Sequence, residues 1–127
     1  MNEYMLLIRN MAGHDAAWPD EKHGRFLKEC EDYIGGLKSE GRLIAAQPLI
    51  REGAIVSGAR GALKVSPLDA SGEVQVGYYH ILAKDLEEAV SIARRNPEFS
   101  FSDTARVEVR PVKAKESDTG FLYPKGI

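Results

Sequence analysis

The sequence predicts an α+β fold, an antiparallel sheet with two helices on one face. Short segments of alternating apolar residues indicate strands, and two longer segments with apolar residues three and four positions apart indicate amphipathic helices. The chain has 127 residues, 43% of them hydrophobic, which is enough to bury one core. We therefore expect one domain over residues 1–112, followed by a C-terminal tail over residues 113–127.

The first strand is predicted over residues 3–9. Its large apolar side chains point to both faces, Tyr4, Leu6 and Ile8 to one and Met5 and Leu7 to the other. A strand with two apolar faces is expected to be covered on both sides. The polar segment that follows, residues 10–18, is predicted to be a loop.

A helix is predicted from Pro19 to Glu40. Proline suits the first turn of a helix, and the acidic residues that follow it complement the positive end of the helix dipole. One apolar stripe runs along this helix and consists of Phe26 or Leu27, Cys30, Ile34 and Leu37. Gly41 is expected to cap its C-terminus.

The rest of the chain predicts five strands and one more helix. The strands are expected at residues 43–47, 54–57, 62–65, 74–82 and 105–112, and the helix at residues 85–95. The two short middle strands are compatible with a hairpin around Gly58-Ala59-Arg60-Gly61, and residues 67–72 read as a turn-rich loop.

This order of elements resembles a ferredoxin-like arrangement, in which two helices cover one face of an antiparallel sheet. The second face is also apolar, so it needs another layer. A second copy of the chain is the simplest cover, and we expect a homodimer. The alternative cover is the tail, where Phe121, Leu122 and Tyr123 interrupt a polar stretch and are expected to dock on the same chain or on a partner.

Composition excludes several classes of function. Lys and Arg number 17 against 19 Asp and Glu, so no excess positive charge is present for nucleic-acid binding. No apolar run approaches the roughly 20 residues that span a bilayer, and we expect no signal peptide and no membrane association. With one cysteine, no intrachain disulfide forms. These features favour a cytoplasmic protein.

Three segments resemble the YCII-related family, in its DGPF branch. They are Tyr4-Met5-Leu6-Leu7-Ile8, Gly77-Tyr78-Tyr79-His80-Ile81-Leu82-Ala83-Lys84-Asp85-Leu86-Glu87-Glu88-Ala89, and Val107-Glu108-Val109-Arg110-Pro111-Val112. The resemblance implies a dimeric α/β-barrel similar to muconolactone isomerase. Some relatives are lyases or dehydrochlorinases that act on ring compounds, and others accompany transcription factors. Relatives carry a histidine in the first helix, where this chain has His23.

His23 is the candidate catalytic residue. It extends the apolar stripe of the first predicted helix toward the N-terminus, so it is expected to face the sheet near the open end of the core. The positive helix end there favours the neutral imidazole, which suits a general base. Asp20 or Asp15 is the candidate carboxylate that assists it. The alternative is a partly buried histidine bonded to a backbone carbonyl.

His80, Tyr78 and Trp18 are the candidate ligand-binding residues. His80 and Tyr78 share one face of a strong strand, and Trp18 precedes the first predicted helix, where it could cover the helix start. His14 lies in the loop and is expected to be solvated. The spacing of the three histidines predicts no metal site, and no glycine-rich phosphate loop or nucleophile elbow is present.

Two functions remain open. The first is an enzyme that binds a small polar or cyclic organic molecule near the first predicted helix and performs lyase or isomerase chemistry without a cofactor, with a histidine as general base. The second is a non-catalytic dimeric module that binds a ligand or a protein partner for regulation.

Overall fold

A computed structural model describes residues 1–68 and 71–125. The elements are β1 (Asn2–Met11), α1 (Asp20–Ser39), β2 (Leu43–Pro48), β3 (Ala54–Ser57), β4 (Lys64–Pro67), β5 (Glu73–Ala83), α2 (Leu86–Arg94), α3 (Glu98–Phe101) and β6 (Arg106–Pro111). This order confirms the predicted α+β class.

The main sheet has four strands in the order β2-β5-β1-β6, and every neighbouring pair is antiparallel. This order and these directions are compatible with a ferredoxin-like fold. The two central strands pair with Tyr4 opposite Ile81 and Leu6 opposite Tyr79. Their register shifts between Ile8 and Arg9.

The ends of both long helices follow the sequence signals. Gly41 has a φ of 71°, a left-handed conformation that glycine adopts without steric cost, and the Arg42 N–H donates to the Leu37 carbonyl. Asp85 begins α2 by accepting a hydrogen bond from the Glu88 backbone N–H at 2.9 Å. Both helix ends therefore lie within one residue of the predicted positions.

The core lies between the helices and one face of the sheet. Leu6, Ile81 and Leu37 are fully buried there, and the small or branched residues of α2 pack against them. The opposite face carries Met5, Leu7, Tyr78, His80 and Leu82, which alternate with the core residues and are only partly buried. The prediction that both faces of the central strands are apolar is confirmed.

The tail reaches the opposite face where Lys125 forms an ion pair with Glu3. Phe121, Leu122 and Tyr123 stay exposed, although the rings of Phe121 and Tyr123 touch each other. Docking of these three side chains on the chain itself, one of the two predicted outcomes, is therefore not observed.

The middle of the chain differs most from the prediction. The hairpin forms, but β4 begins at Lys64 and not at Ala62, because the Ala62 N–H closes a turn with the Ala59 carbonyl. This two-stranded arm, β3 and β4, forms a sheet of its own. The turn-rich loop predicted at residues 67–72 includes residues 69 and 70, which lie outside the described residues. The four-residue helix α3 was not predicted, because one turn has no measurable periodicity.

Candidate functional site

A cleft of about 370 Å³ lies between α1 and the sheet. This volume falls within the roughly 300–1,000 Å³ typical of small-molecule sites. Most of its walls are apolar and come from α1, the strands and the segment after β2: Ile8, Phe26, Leu27, Cys30, Ile34, Ala46, Leu49, Val76 and Tyr79. A larger depression of about 840 Å³ adjoins it at His14 and is lined by the segment around α3, but no wall of it comes from α1.

Polar side chains gather in the same cleft. Five of them come from the loop after β1, the segment before β3 and the start of α3: His14, Asp15, Arg51, Asn96 and Glu98. The helix α1 and the strand β2 add His23, Glu31 and Gln47. An apolar cavity with a few convergent polar groups is the usual form of a small-molecule site.

The His14 imidazole is held in one orientation. Its side chain is only 5% exposed, and its Nδ1 lies 3.0 Å from the Met11 carbonyl oxygen. Arg51 Nη2 also lies 3.4 Å from Nδ1, and since a guanidinium can only donate whereas a carbonyl oxygen can only accept, the two contacts require opposite tautomers; the shorter one, to the Met11 carbonyl, places the proton on Nδ1. In the neutral ring, Nε2 is then a proton acceptor. Trp18 packs edge-on against the ring, at 5.7 Å between centroids.

Glu98 is the carboxylate nearest to that acceptor. Its Oε2 lies 3.8 Å from His14 Nε2, which is beyond hydrogen-bond distance but close enough for electrostatic stabilisation of an imidazolium. The same oxygen accepts a hydrogen bond from Asn10 Nδ2 at 3.2 Å. Asn10 is fully buried, and its own Oδ1 accepts from Thr104 Oγ1 at 2.6 Å. A network from β1 to the end of α3 therefore fixes the carboxylate.

Asp15 and Arg51 form an ion pair at the cleft, with Nη1 and Oδ1 2.9 Å apart. Burial raises the pKa of Asp15, but the hydrogen bond and positive charge of Arg51 outweigh it, so the net shift is below the ordinary value of 3.8. Arg51 also donates to the Ala12 carbonyl. At neutral pH the two charges therefore compensate each other. The bonds of Arg51 connect the segment before β3 to the loop after β1.

Asn96 has an unusual environment. It is 2% exposed, and its Oδ1 accepts a hydrogen bond from the Glu98 backbone N–H at 2.9 Å. A backbone N–H can only donate, so this bond determines which end of the amide is the oxygen. Among residues 1–68 and 71–125, Nδ2 has no hydrogen-bond partner. A buried donor without a partner costs about 1–3 kcal/mol.

His23 and Asp20 occupy different places in relation to this cleft. His23 lines it but is exposed, so it lies at the mouth and not against the sheet as predicted. Asp20 is exposed in the first turn of α1 and does not line the cleft. Asp15, the other predicted carboxylate, does line it.

The predicted ligand-binding residues are also divided. Tyr78 borders the cleft, although its strand position belongs to the opposite face of the sheet. Trp18 does not line the cleft and instead packs behind His14 and against Phe26 and Phe101. His80 lies on the opposite face of the sheet, where its Nε2 is 2.8 Å from Glu3 Oε1. The structure therefore does not bring His80 to the pocket near the first helix.

The prediction that His14 is solvated is wrong. Trp18 packs against the His14 ring and Phe101 packs against Trp18, which a loop composition does not reveal, although the aromatic residue four positions after His14 was a usable signal. Glu98, Asn96 and Arg51 were missed because they are distant from His14 in sequence. Cys30 is only half-buried in the cleft wall, and burial raises the pKa of its thiol to about 11, as expected of an unreactive cysteine.

In the part of the chain that the structure describes, no group of three or more His, Cys, Asp or Glu side chains is placed to hold a metal ion. Within the same residues, none of the helices combines the length and apolar character needed to cross a membrane.

No family model matches the chain, and no curated protein matches it in sequence. Membership in the YCII-related family therefore stays a prediction from the three segments quoted above.

Proposed function

We propose that this protein binds a small polar or cyclic organic molecule in the cleft and moves a proton on it, in lyase or isomerase chemistry that needs no cofactor. The single observation that carries the proposal is the placement of His14. Its Nε2 is a buried acceptor in an otherwise largely apolar cleft, and a carboxylate lies 3.8 Å away.

The chemistry follows from those positions. His14 Nε2 removes a proton from a carbon of the ligand, and the electron pair left behind forms a double bond. In an elimination, a leaving group departs with its own electron pair. In an isomerisation, the imidazolium returns the proton to a different carbon. Glu98 stabilises the imidazolium, and Trp18 holds the ring in place.

His14 supports this role better than His23, the candidate from the sequence. An exposed imidazole at the mouth is accessible to water, and water competes for its proton. His23 is instead suited to contact the polar end of a ligand as it enters. Assignment to the YCII-related family, whose relatives act on ring compounds, is part of the same proposal.

We also propose that the protein is a cytoplasmic homodimer. Support for the dimer comes from the opposite face of the sheet, where Met5, Leu7 and Leu82 are partly buried without a helix over them. Burying apolar surface of this kind stabilises association. The lone cysteine supports the reducing compartment.

The second candidate function is a non-catalytic dimeric binding or regulatory module. The exposed Phe121, Leu122 and Tyr123 favour it, since aromatic residues at an exposed site are typical of interfaces. It differs from the enzyme in requiring no proton transfer in the cleft.

The test is hydrogen–deuterium exchange at the carbons next to the carbonyl of cyclohexanone, followed by NMR in D₂O. The wild-type protein is expected to accelerate exchange, and His14→Gln to lose about 100-fold or more of that acceleration. His23→Ala is the matched control and is expected to retain most of it. Exchange that is unchanged in His14→Gln would contradict the role of His14, and no acceleration by the wild type would favour the binding module.

A further inference from the structure

We infer that Asn96 selects the ligand of the cleft, and that this ligand is a neutral molecule with an apolar body and a carbonyl oxygen that accepts a hydrogen bond from Asn96 Nδ2. The inference deepens the proposed function and rests on it, since it requires the cleft to bind a small molecule.

The amide of Asn96 is oriented before any ligand arrives. Its Oδ1 is held by the Glu98 backbone N–H at 2.9 Å, so the amide cannot turn over without losing that bond. Its Nδ2 is left as a buried donor with no partner among the described residues. Asn96 is one of the residues that line the cleft, so a ligand that displaces the atoms covering Nδ2 can supply the missing acceptor.

The charges around Asn96 favour a neutral acceptor over an anion. Arg51 is paired with the Asp15 carboxylate at 2.9 Å and also donates to the Ala12 carbonyl. The buried Glu98 carboxylate accepts a hydrogen bond from the uncharged amide of Asn10. Among the described residues no Lys or Arg pairs with Glu98, so a ligand carboxylate would lie beside an anion whose nearest ionisable partner is the His14 ring, 3.8 Å away.

The rest of the cleft determines the body of the ligand. Phe26, Leu27, Ile34 and Val76 present hydrocarbon to it, and burial of a ring or chain against them is favourable. A ligand with an apolar ring or chain and a carbonyl group therefore matches both the apolar walls of the cleft and the Asn96 donor. The carbonyl also acidifies the neighbouring C–H bonds, which makes them suitable for proton removal by His14.

The test compares three probes of similar size: acetophenone, α-methylstyrene, in which CH₂ replaces the carbonyl oxygen, and benzoate. Dissociation constants are measured by NMR titration of ¹⁵N-labelled protein, including the Asn96 side-chain amide. Acetophenone is expected to bind about fivefold more tightly than α-methylstyrene, the value of one hydrogen bond, and more tightly than benzoate. The Asn96 amide signal should shift with acetophenone and not with α-methylstyrene.

Asn96→Asp removes the donor and keeps the oxygen that accepts from Glu98, so it should abolish the preference for acetophenone. Asn2→Asp is the matched control, since it makes the same change at an exposed residue that does not line the cleft and should preserve the preference. If Asn96→Asp does not fold, the wild-type protein alone provides the test: its Asn96 side-chain amide signal should shift with acetophenone and not with α-methylstyrene.

Three outcomes would overturn the inference. Equal binding of acetophenone and α-methylstyrene by the wild type would remove the role of Asn96, and so would a preference that survives in Asn96→Asp. Tighter binding of benzoate would overturn the neutral class. In these cases the cyclohexanone exchange by His14 can still succeed, whereas failure of every probe to bind in the cleft would overturn the proposed function as well.

Discussion

The two faces of the sheet each carry a histidine beside a glutamate, and the two pairs differ in what they leave available. On the opposite face, His80 Nε2 lies 2.8 Å from Glu3, and Glu3 is also paired with Lys125. In the cleft, His14 Nε2 lies 3.8 Å from Glu98. The first pair is satisfied within the chain, and the second leaves an acceptor that a ligand can use.

The difference comes from the surroundings of each pair. His80 stands on a strand among neighbours that its own sheet provides, so its partner is one strand away. His14 lies in a loop, and its environment is assembled from Trp18 in the same loop and from Arg51 and Glu98 in distant segments. A site of this second kind combines an apolar cavity with polar groups, as ligand binding requires.

The largest expected effect concerns the two faces themselves. Leu6→Ala removes a fully buried side chain from the helix-covered face and should lower the free energy of unfolding by about 2–5 kcal/mol. Leu7→Ala, on the opposite face, should lower the free energy of unfolding by less and should weaken the proposed dimer. Urea unfolding measures the first effect, and sedimentation equilibrium measures the second. A larger loss of stability in monomeric Leu7→Ala than in Leu6→Ala would contradict this view of the two faces.

The second prediction separates the two histidines. His80→Gln should leave the rate of cyclohexanone exchange within about twofold of the wild type, whereas His14→Gln should lower the acceleration by about 100-fold or more. The reason is that His80 lies on the face away from the cleft. Exchange assays on both variants at one pH are sufficient. A large loss in His80→Gln would show that the opposite face takes part in the reaction.

The smallest expected effect is the pH dependence of the Glu3 contacts. The hydrogen bond from Lys125, followed by the bond and charge of His80, lowers the pKa of Glu3 below its ordinary 4.5 despite partial burial. A lowered pKa stabilises the folded state at pH values above 4.5, and this contribution is lost as the pH falls through the lowered value. Exposed ion pairs contribute about 1 kcal/mol or less.

Urea unfolding of wild type and Glu3→Gln between pH 3 and pH 7 tests this dependence. The difference in stability between them should be larger at pH 5 than at pH 3, because protonation of Glu3 removes its contacts with Lys125 and His80. Glu52→Gln, an exposed change on the segment before the arm, is the control. A difference that grows on acidification would show that the sign is wrong.

Much of the fold could be predicted because local signals determine it. Period-two alternation placed the central strands, Pro19 and Gly41 marked the ends of α1, and Asp85 marked the start of α2. The start of β4 was misplaced by two residues, since the turn at Gly58–Gly61 takes up more of the chain than its composition indicates. α3 was missed because one turn of helix leaves no pattern.

The candidate site was predictable only in its location. The sequence pointed to the first helix and its apolar stripe, and Phe26, Leu27, Cys30 and Ile34 do line the cleft. The sequence favoured His23 because the three- and four-residue spacing of a helix can be read from the sequence directly. It undervalued His14 because the cover that buries that ring comes from elsewhere in the chain.

Local sequence patterns were sufficient to predict the α+β class, the limits of the two long helices and the two apolar faces of the central strands, because these depend on residues a few positions apart. The three-dimensional arrangement was needed to show that His14 is buried in the cleft, that Glu98 lies 3.8 Å from it, and that Asn96 Nδ2 has no hydrogen-bond partner among the described residues. The contact between His14 and Glu98 joins residues 84 positions apart, which no local pattern can reveal.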